Sequence, residues 1–255
     1  MERDFYHFSA ERLRIASEGF YFHCHPQVSC YLVCCHRADI SLYPYDIIRL
    51  KRHLGLHSAD FIFQHTRISE GSHPFFPGIK LNMSDSEGYP CPFLGTEGCR
   101  VYADRPSACR TYPLERGVEK ISGQPGVQAH YRLTRHQYCK GHEQIRQYTI
   151  QQWERDQKID DFNLSNDRWA ELDAFFASNP WAGEGKAGPL QQLAFMVCYN
   201  IDGFRAYAQE HALLKIFDIS KDERRRIEKD DAALLHFGFR WLEHTLGGRK
   251  LLKRQ

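Results

Sequence analysis

Nine cysteines are present among the 255 residues of this chain, and eight of them lie between positions 24 and 139. Deprotonated cysteine thiols are the ligands that zinc, iron–sulfur clusters and cuprous copper select. Cysteines without a shared role would be spread along the whole chain. The clustering therefore predicts a metal centre, and its candidate ligands are Cys24, Cys30, Cys34, Cys35, Cys91, Cys99, Cys109 and Cys139.

The spacing of these cysteines matches neither the paired CxxC of a zinc ribbon nor the CxxCxxC of a bacterial ferredoxin. Cys34 and Cys35 are adjacent, and neighbouring side chains tend to point in different directions. The two therefore serve different metals, or only one of them is a ligand. Eight thiols could form two four-thiolate sites, or one four-cysteine cluster beside four reserve or redox thiols.

The ninth cysteine, Cys198, lies in the apolar segment 194–199, and we expect it to be a small side chain of the hydrophobic core. The histidines next to the first cysteines are a different case, because imidazole is also a metal ligand. His23, His25 and His36 could each replace a thiolate.

The composition is that of a soluble globular protein, with 42% apolar residues and a formal net charge of +2. Such a small net charge does not indicate binding to nucleic acid or to an anionic membrane. No apolar run approaches the roughly 20 residues that span a bilayer, and the first residues lack a secretory signal. We therefore expect a cytoplasmic protein with reduced thiols, no membrane association and no nucleic-acid partner.

The most concentrated basic run, residues 224–226, consists of three arginines and could contact phosphate. Acidic neighbours, among them Glu223 and Glu228, weaken its field. A solvated helix face is the favoured interpretation of this run.

The elements that must hold the cysteines are short and irregular. Mixed apolar and charged positions predict a short helix over residues 5–16, and the aromatic run 19–24 predicts a strand. The Gly- and Pro-rich stretch 69–126 is typical of loops, with one strand expected at 79–83 and a turn at 117–128.

Two helices are predicted inside the cysteine-rich half. Pro44 near its start, Asp46 in its first turn and Gly55 as its stop predict a helix over residues 44–54. A second short helix is expected from Ser58, with this serine as its cap.

After Cys139 the sequence has a helical pattern. Helices are predicted at 142–157, 166–177, 189–207 and from 221 to about 247. The predicted class is α+β, mostly helical, with a small hairpin. We expect a cysteine-cluster metal-binding module at 1–140, followed by a helical region at 141–255 that packs on it.

Several motifs in the cysteine-rich half resemble the YkgJ-type cysteine-cluster family of zinc- or iron-chelating proteins. The similar pieces are Cys30-x3-Cys34-Cys35, Asp46-Ile-Ile-Arg-Leu, Cys91-Pro-Phe-Leu, Gly98-Cys99-Arg-Val-Tyr and Arg105-Pro-x2-Cys109-Arg110-x-Tyr-Pro-Leu. The resemblance implies zinc or iron as the metal. The chain is also distantly similar to the flagellin lysine methylases, whose cysteines hold an iron–sulfur cluster, which makes iron–sulfur chemistry plausible without implying a methylase.

Arg105 and Arg110 flank Cys109 and are the candidate cofactor-binding residues. Guanidinium groups can donate hydrogen bonds to cluster sulfurs and offset the charge of four thiolates. The alternative is that they pair with Asp104 or Asp46 at the surface.

These observations predict a metalloprotein that carries an iron–sulfur cluster and has a redox role or modifies a peptide or protein. The alternatives are a zinc-stabilised binding module and a metal-handling protein. The expected partner is a protein or peptide that contacts the C-terminal helices. Whether the chain is an enzyme, and which residues would be catalytic, is left open by the sequence.

Overall fold

The computed structural model describes residues 11–15, 19–119, 126–250 and 252–253. These residues are mostly helical with small antiparallel sheets, which confirms the predicted α+β class. The chain forms two compact units, and each is built from two separate segments. Unit one lies within Met1–Ile40 and Leu81–Asp161, and unit two within Ser41–Lys80 and Phe162–Gln255. The domain boundary near residue 140 stays a prediction.

The strands, in chain order, are β1 (Glu11–Arg14), β2 (Phe20–Tyr21), β3 (Ser41–Leu42), β4 (Thr66–Ser69), β5 (Gly78–Leu81), β6 (Leu94–Gly95), β7 (Gly98–Cys99), β8 (Leu114–Glu119), β9 (Gln128–Arg135) and β10 (Gln147–Tyr148). The helices are α1 (Pro44–Leu54), α2 (Ser58–His65), α3 (Ser107–Thr111), α4 (Ile150–Gln157), α5 (Asp160–Phe176), α6 (Pro189–Tyr199), α7 (Ile201–Glu210), α8 (Leu213–Ile216), α9 (Lys221–Lys229) and α10 (Asp231–Thr245). Short 3-10 segments occur at Val33–Cys35, Tyr102–Asp104 and Lys140–Glu143. Within the described ranges, every helix is too short or too polar to cross a membrane.

Unit one combines small antiparallel sheets with an aromatic core. β9 pairs with β1 on one side and with β8 on the other, β2 pairs with β10, and β6 pairs with β7. The buried core residues are Phe20, Phe22, Leu114, Tyr148, Trp153 and Ile159. The ring of Phe22 meets that of Trp153 edge-on at 5.5 Å. Next to it, the N–H of His23 donates to the carbonyl of Gly141 at 3.0 Å, so the core holds together the segments that carry Cys24 and Cys139.

Unit two contains the helix predicted from Pro44 and Gly55. α1 begins at Pro44, and the carboxylate of Asp46 accepts from the Tyr43 N–H at 2.9 Å. The helix ends at Gly55, whose φ of 66° is a left-handed conformation that glycine adopts at little cost. The same unit contains the sheet β3-β5-β4, and β5 confirms most of the strand predicted at 79–83.

The core of unit two is aromatic. It includes Phe76, Trp169, Phe176, Trp181, Tyr199, Phe204, Phe237 and Trp241. Cys198 is buried in α6, as predicted. The buried ammonium of Lys51 lies 2.8 Å from both Asp202 and Asp231, which compensates its charge.

Two predictions in unit one are wrong. Residues 11–14 form β1, paired in register with residues 132–135, and are not part of a helix over 5–16. Residues 5–10 and 16 lie outside the described residues. Residues 117–119 and 128 belong to the β8–β9 pair rather than to a turn, because their backbone groups bond across the two strands. The rest of that predicted turn includes residues 120–125, which are also not described.

Two helix starts also differ from the predictions. α2 is capped by His57, whose Nδ1 accepts from the Ala59 N–H at 3.3 Å. The hydroxyl of Ser58 bonds to Asn200 at 2.7 Å instead. The helix predicted over 142–157 begins only at α4, where Thr149 and Gln152 form a capping box.

Candidate metal centre

All eight candidate cysteines lie in unit one, on loops and at the ends of short elements. Cys24 and Cys30 follow β2, while Cys34 and Cys35 end the 3-10 segment Val33–Cys35. Cys91 precedes β6, Cys99 ends β7, Cys109 is in α3, and Cys139 precedes the 3-10 segment Lys140–Glu143. Each of the eight is a free thiol that is exposed or half-buried.

Four of these cysteines share one electrostatic neighbourhood, and we call Cys24, Cys30, Cys34 and Cys139 the first set. Burial raises the pKa of Cys24 to about 11, and the charges of Cys34, Cys139 and Cys30 contribute further. Burial also raises the pKa of Cys139, and both Cys30 and Cys34 add to the effect. Thiolates close enough to repel one another in this way can be neutralised together by a shared cation.

The other four, Cys35, Cys91, Cys99 and Cys109, form the second set. A hydrogen bond with Cys34 is the main cause that raises the pKa of Cys35, followed by burial and by the charges of Cys34, Cys91 and Cys109. Burial raises the pKa of Cys91, and the charge of Cys99 adds to it.

Cys34 and Cys35 connect the two sets. The hydrogen bond between their sulfurs lowers the pKa of Cys34 to about 7, because it stabilises the Cys34 thiolate. Cys34 also raises the pKa of Cys99, after the larger effect of burial. The structure therefore brings the eight predicted residues into one region of unit one, with the adjacent pair at the junction.

Backbone amides point at several of the sulfurs. The N–H groups of Phe93 and Leu94 bond to Cys91 and lower its pKa against the effect of burial. In the same way, the N–H of Val101 favours the thiolate of Cys99. Hydrogen bonds to the charged form stabilise thiolates, which are the species that bind metal.

A single turn serves two cysteines of the first set. The Lys140 N–H donates to Cys30 Sγ at 3.1 Å, and the next amide, that of Gly141, donates to Cys139. Gly141 is required here, because a Cβ at this position would lie 2.7 Å from a ring carbon of Phe22. The core of unit one thus fixes the turn that orients Cys30 and Cys139.

Backbone bonds also fix the second set. The Cys91 N–H donates to the carbonyl of Cys35 at 2.7 Å. Leu94 of β6 is opposite Cys99 of β7, so the hairpin holds Cys91 and Cys99 near its two ends. Cys35, Cys91 and Cys99 are therefore positioned by main-chain geometry.

Three tyrosines interact with the cysteines, and the sequence motifs name only Tyr112 among them. Burial raises the pKa of Tyr112, and a hydrogen bond from its hydroxyl to Cys139 raises it further. Burial and the charges of both sets raise the pKa values of Tyr31 and Tyr138. Tyr31 and Tyr138 each adjoin a cysteine in the sequence, which was the available signal, whereas Tyr112 reaches Cys139 only through the fold.

Arg105 and Arg110 are both buried in unit one. Arg105 donates to the Tyr102 carbonyl at 2.6 Å, and its guanidinium lies over the Tyr102 ring. The charge of Arg105 lowers the pKa of Cys99, against the larger effect of burial. Arg110 donates to the carbonyls of Gln157 and Ala103 at 2.5 and 2.6 Å. A role of either arginine in holding a cofactor stays a prediction.

The flanking histidines make contacts of their own. The rings of His23 and His25 are tilted by 43° with their centroids 4.6 Å apart, and burial lowers the pKa of His23. Nδ1 of His36 is 3.2 Å from the Leu32 carbonyl. These contacts leave metal ligation by the three histidines a prediction.

The donor set fits a thiolate-bound metal in its chemistry. Among the residues that the structure describes, no three His, Cys, Asp or Glu side chains are already arranged to hold a metal ion. Thiolate sulfur is nevertheless the ligand type that zinc and iron–sulfur clusters use. Eight cysteine sulfurs are present, and backbone amides donate to members of both sets. The two sets are the residues that would hold the metal.

Comparison with known proteins gave one match. Residues 23–140 match the family model CxxCxxCC, described as "Putative zinc- or iron-chelating domain". This segment contains all eight clustered cysteines, and the match confirms the resemblance to the YkgJ-type family. No curated protein and no solved structure matches the chain significantly. The similarity to flagellin lysine methylases stays a prediction.

Proposed function

We propose that this protein, whose residues 23–140 match the CxxCxxCC model of a zinc- or iron-chelating domain, carries an iron–sulfur cluster bound by the clustered cysteines. The proposed role is redox chemistry or the modification of a peptide or protein. Zinc- or iron-chelation is the property of the family, and the iron–sulfur cluster is our addition to it.

The observation that carries the proposal is that all eight thiols lie in unit one, where backbone amides donate to Cys30, Cys91, Cys99 and Cys139 and the thiolates act on one another's pKa values. Four thiolates are the usual ligand set of [2Fe–2S] and [4Fe–4S] clusters. Hydrogen bonds to the sulfurs are one of the means by which proteins tune the potentials of such clusters.

An iron–sulfur cluster, when bound, would supply one-electron transfer. The residues around it have separate tasks. Tyr112 and the amide of Gly141 stabilise the Cys139 thiolate, and Arg105 supplies positive charge near Cys99. Tyr31 and Tyr138 lie beside members of both sets.

A zinc-stabilised binding module is the second candidate, and the β6–β7 hairpin favours it. Each of its strands has two residues, which is too short for a hairpin to be stable in water by itself. A zinc ion bound by thiolates at Cys91 and Cys99 would hold this hairpin closed, and structural zinc contributes on the order of 10 kcal/mol to folding.

The compartment and the partner are part of the proposal. Eight thiols must stay reduced to bind metal, which favours a reducing compartment such as the cytoplasm. The partner that we propose is a protein or peptide that contacts the C-terminal helices.

Metal and sulfide analysis tests the proposal. The protein should be purified without oxygen, and iron, zinc and acid-labile sulfide should be measured per chain together with the visible absorption spectrum. We expect a brown protein with iron and sulfide in similar amounts. A colourless protein that contains only zinc would refute the iron–sulfur proposal and support the second candidate.

A further inference from the structure

A site of different chemistry lies in unit two, in a cavity of about 330 Å³. Four arginines line it: Arg168 of α5, Arg226 of α9, Arg240 of α10, and Arg249. Residues from three helices and from the segment after α10 thus bring guanidinium groups to one place. Only Arg226 belongs to the basic run 224–226, so the sequence alone gave no sign of this convergence.

Two of the four arginines are neutralised by glutamates of the same cavity. Arg240 forms an ion pair with Glu223 at 2.6 Å. Arg249 pairs with Glu243 at 2.8 Å and with Glu171 at 3.2 Å. The three acidic groups of the cavity are therefore held by Arg240 and Arg249.

Arg168 and Arg226 are not neutralised in this way. Within the part of the chain that the structure describes, neither guanidinium has a hydrogen bond or an ion pair. A planar guanidinium group offers five N–H donors and binds phosphate in a bidentate manner. Both groups line the same cavity and have donors left for an anion.

The titration of nearby groups agrees with a positive potential in the cavity. Burial lowers the pKa of Arg168, and the charges of Arg240 and Arg226 lower it further against the opposing effect of Glu171. Burial lowers the pKa of His236 to about 4, and Arg168, Arg240 and Arg226 contribute while Asp230 opposes. An anion would remove part of this repulsion.

We propose that the cavity binds a small phosphomonoester, with its phosphate between Arg168 and Arg226. The apolar side chains of Leu172, Ile227 and Phe239 also line the cavity and would pack against the organic part of the ligand. The volume lies at the lower end of the range of about 300–1,000 Å³ that is typical of small-molecule sites, which limits the ligand to a small body.

Calorimetric titration of the full-length protein with phenyl phosphate at low salt and pH 7.5 tests this site. We expect saturable binding of one ligand per chain. Arg168→Gln and Arg226→Gln should each raise the Kd roughly tenfold or more, because each removes a charged hydrogen-bond donor to the phosphate. Unchanged thermal midpoints of the variants would establish that they fold.

Arg225→Gln is the matched control, because it removes the same charge from α9 at a residue that does not line the cavity. Its Kd should stay within about twofold of the unsubstituted protein. Inorganic phosphate should bind several-fold more weakly than phenyl phosphate. The proposal is overturned if no saturable binding occurs, if Arg225→Gln weakens binding as much as Arg168→Gln, or if both ligands bind equally.

Discussion

Cys34 and Cys35 are the residues on which the arrangement of the metal centre depends most. They are consecutive, yet Cys34 shares its surroundings with Cys24 and Cys139, whereas Cys35 lies with Cys91 and Cys109. A hydrogen bond nevertheless joins their sulfurs, so the pair lies where the two sets meet. Two four-thiolate sites, and one four-cysteine cluster beside four reserve or redox thiols, both stay predictions.

Single substitutions at this pair test the two-site arrangement. Cys34→Ala should remove the metal of the first set, and Cys35→Ala that of the second, because a site that loses one of four ligands binds far more weakly. Each variant should therefore retain about half of the metal bound by the unsubstituted protein, as measured by elemental analysis of anaerobic samples.

Cys198→Ala is the control for this prediction, since Cys198 is buried in unit two, whereas all members of both sets belong to unit one. It should retain all of the metal. Complete loss of metal in both Cys34→Ala and Cys35→Ala would instead indicate one site to which both residues contribute.

Tyr112 is expected to strengthen metal binding through its hydroxyl. Tyr112→Phe removes the donor to Cys139 and leaves the ring, which packs edge-on against Phe22 at 5.6 Å. Loss of such an outer hydrogen bond costs about 10- to 100-fold in metal affinity. Competition with a chelator should therefore show at least a tenfold weaker affinity.

Tyr131→Phe is the matched control, because its hydroxyl bonds to Glu154 and Arg116 in the same unit. This variant should hold its metal as the unsubstituted protein does. Equal affinities for Tyr112→Phe and Tyr131→Phe would contradict a role of Tyr112 in the metal centre.

The sequence located the cysteines and Arg105, whose charge acts on Cys99, but not the backbone amides or the tyrosine hydroxyl that bond to the sulfurs. Clustering of a rare, reactive residue type is visible without a structure. The amides that bond to Cys30 and Cys91 belong to ordinary residues, and only the path of the backbone aims them at sulfur. The proximity of Tyr112 to Cys139 likewise depends on folding.

At the scale of elements, the turn after Cys139 is the most sensitive part of the centre. Gly141→Ala would place a Cβ 2.7 Å from the Phe22 ring and displace the amides that bond to Cys30 and Cys139. We expect a loss of stability of about 1–3 kcal/mol from overpacking and a lower metal content. Chemical denaturation and elemental analysis measure the two effects.

Gly185→Ala is the control for this substitution, because a Cβ at Gly185 meets open space. It should change neither stability nor metal content appreciably. If Gly141→Ala also retained full metal content, the turn would not be needed to orient the two cysteines.

The elements differ in how far the sequence predicts them. α1 carries its own signals in Pro44, Asp46 and Gly55, and these local interactions determine where the helix begins and ends. β1 has no such signal: its four residues are all exposed, and its pairing partner β9 lies more than 100 residues later. Strands of this kind are determined by long-range pairing rather than by local propensity.

At the scale of the whole molecule, each compact unit joins segments that are distant in sequence. In unit two, Ser58 bonds to Asn200 across a separation of 142 residues. In unit one, Arg12 forms an ion pair with Glu115 across 103 residues. Composition and periodicity describe local stretches, so they could predict the mostly helical class but not this division of the chain.

The stability of unit two should depend on pH through His236. Burial lowers its pKa to about 4 in the folded protein, against 6.5 for the unperturbed group. Between these values the unfolded chain binds more protons, so stability is fully present above pH 6.5 and is lost as pH falls towards 4. The free energy of unfolding should fall by about 2 kcal/mol between pH 7 and 4.5 on account of this residue.

His236→Gln removes the titrating group and can still bond to the Ser165 hydroxyl, which lies 3.0 Å from the imidazole. Denaturant titrations at both pH values should show a smaller loss for the variant than for the unsubstituted protein. An identical loss would mean that His236 does not titrate as described.

Binding of metal through cysteine sulfur is tested by X-ray absorption at the edge of the bound metal. We expect a first coordination shell of sulfur alone, at about 2.3 Å if the metal is zinc, with iron neighbours beyond it if a cluster is present. A first shell that consists mainly of nitrogen or oxygen, or an anaerobic preparation without bound metal, would contradict it.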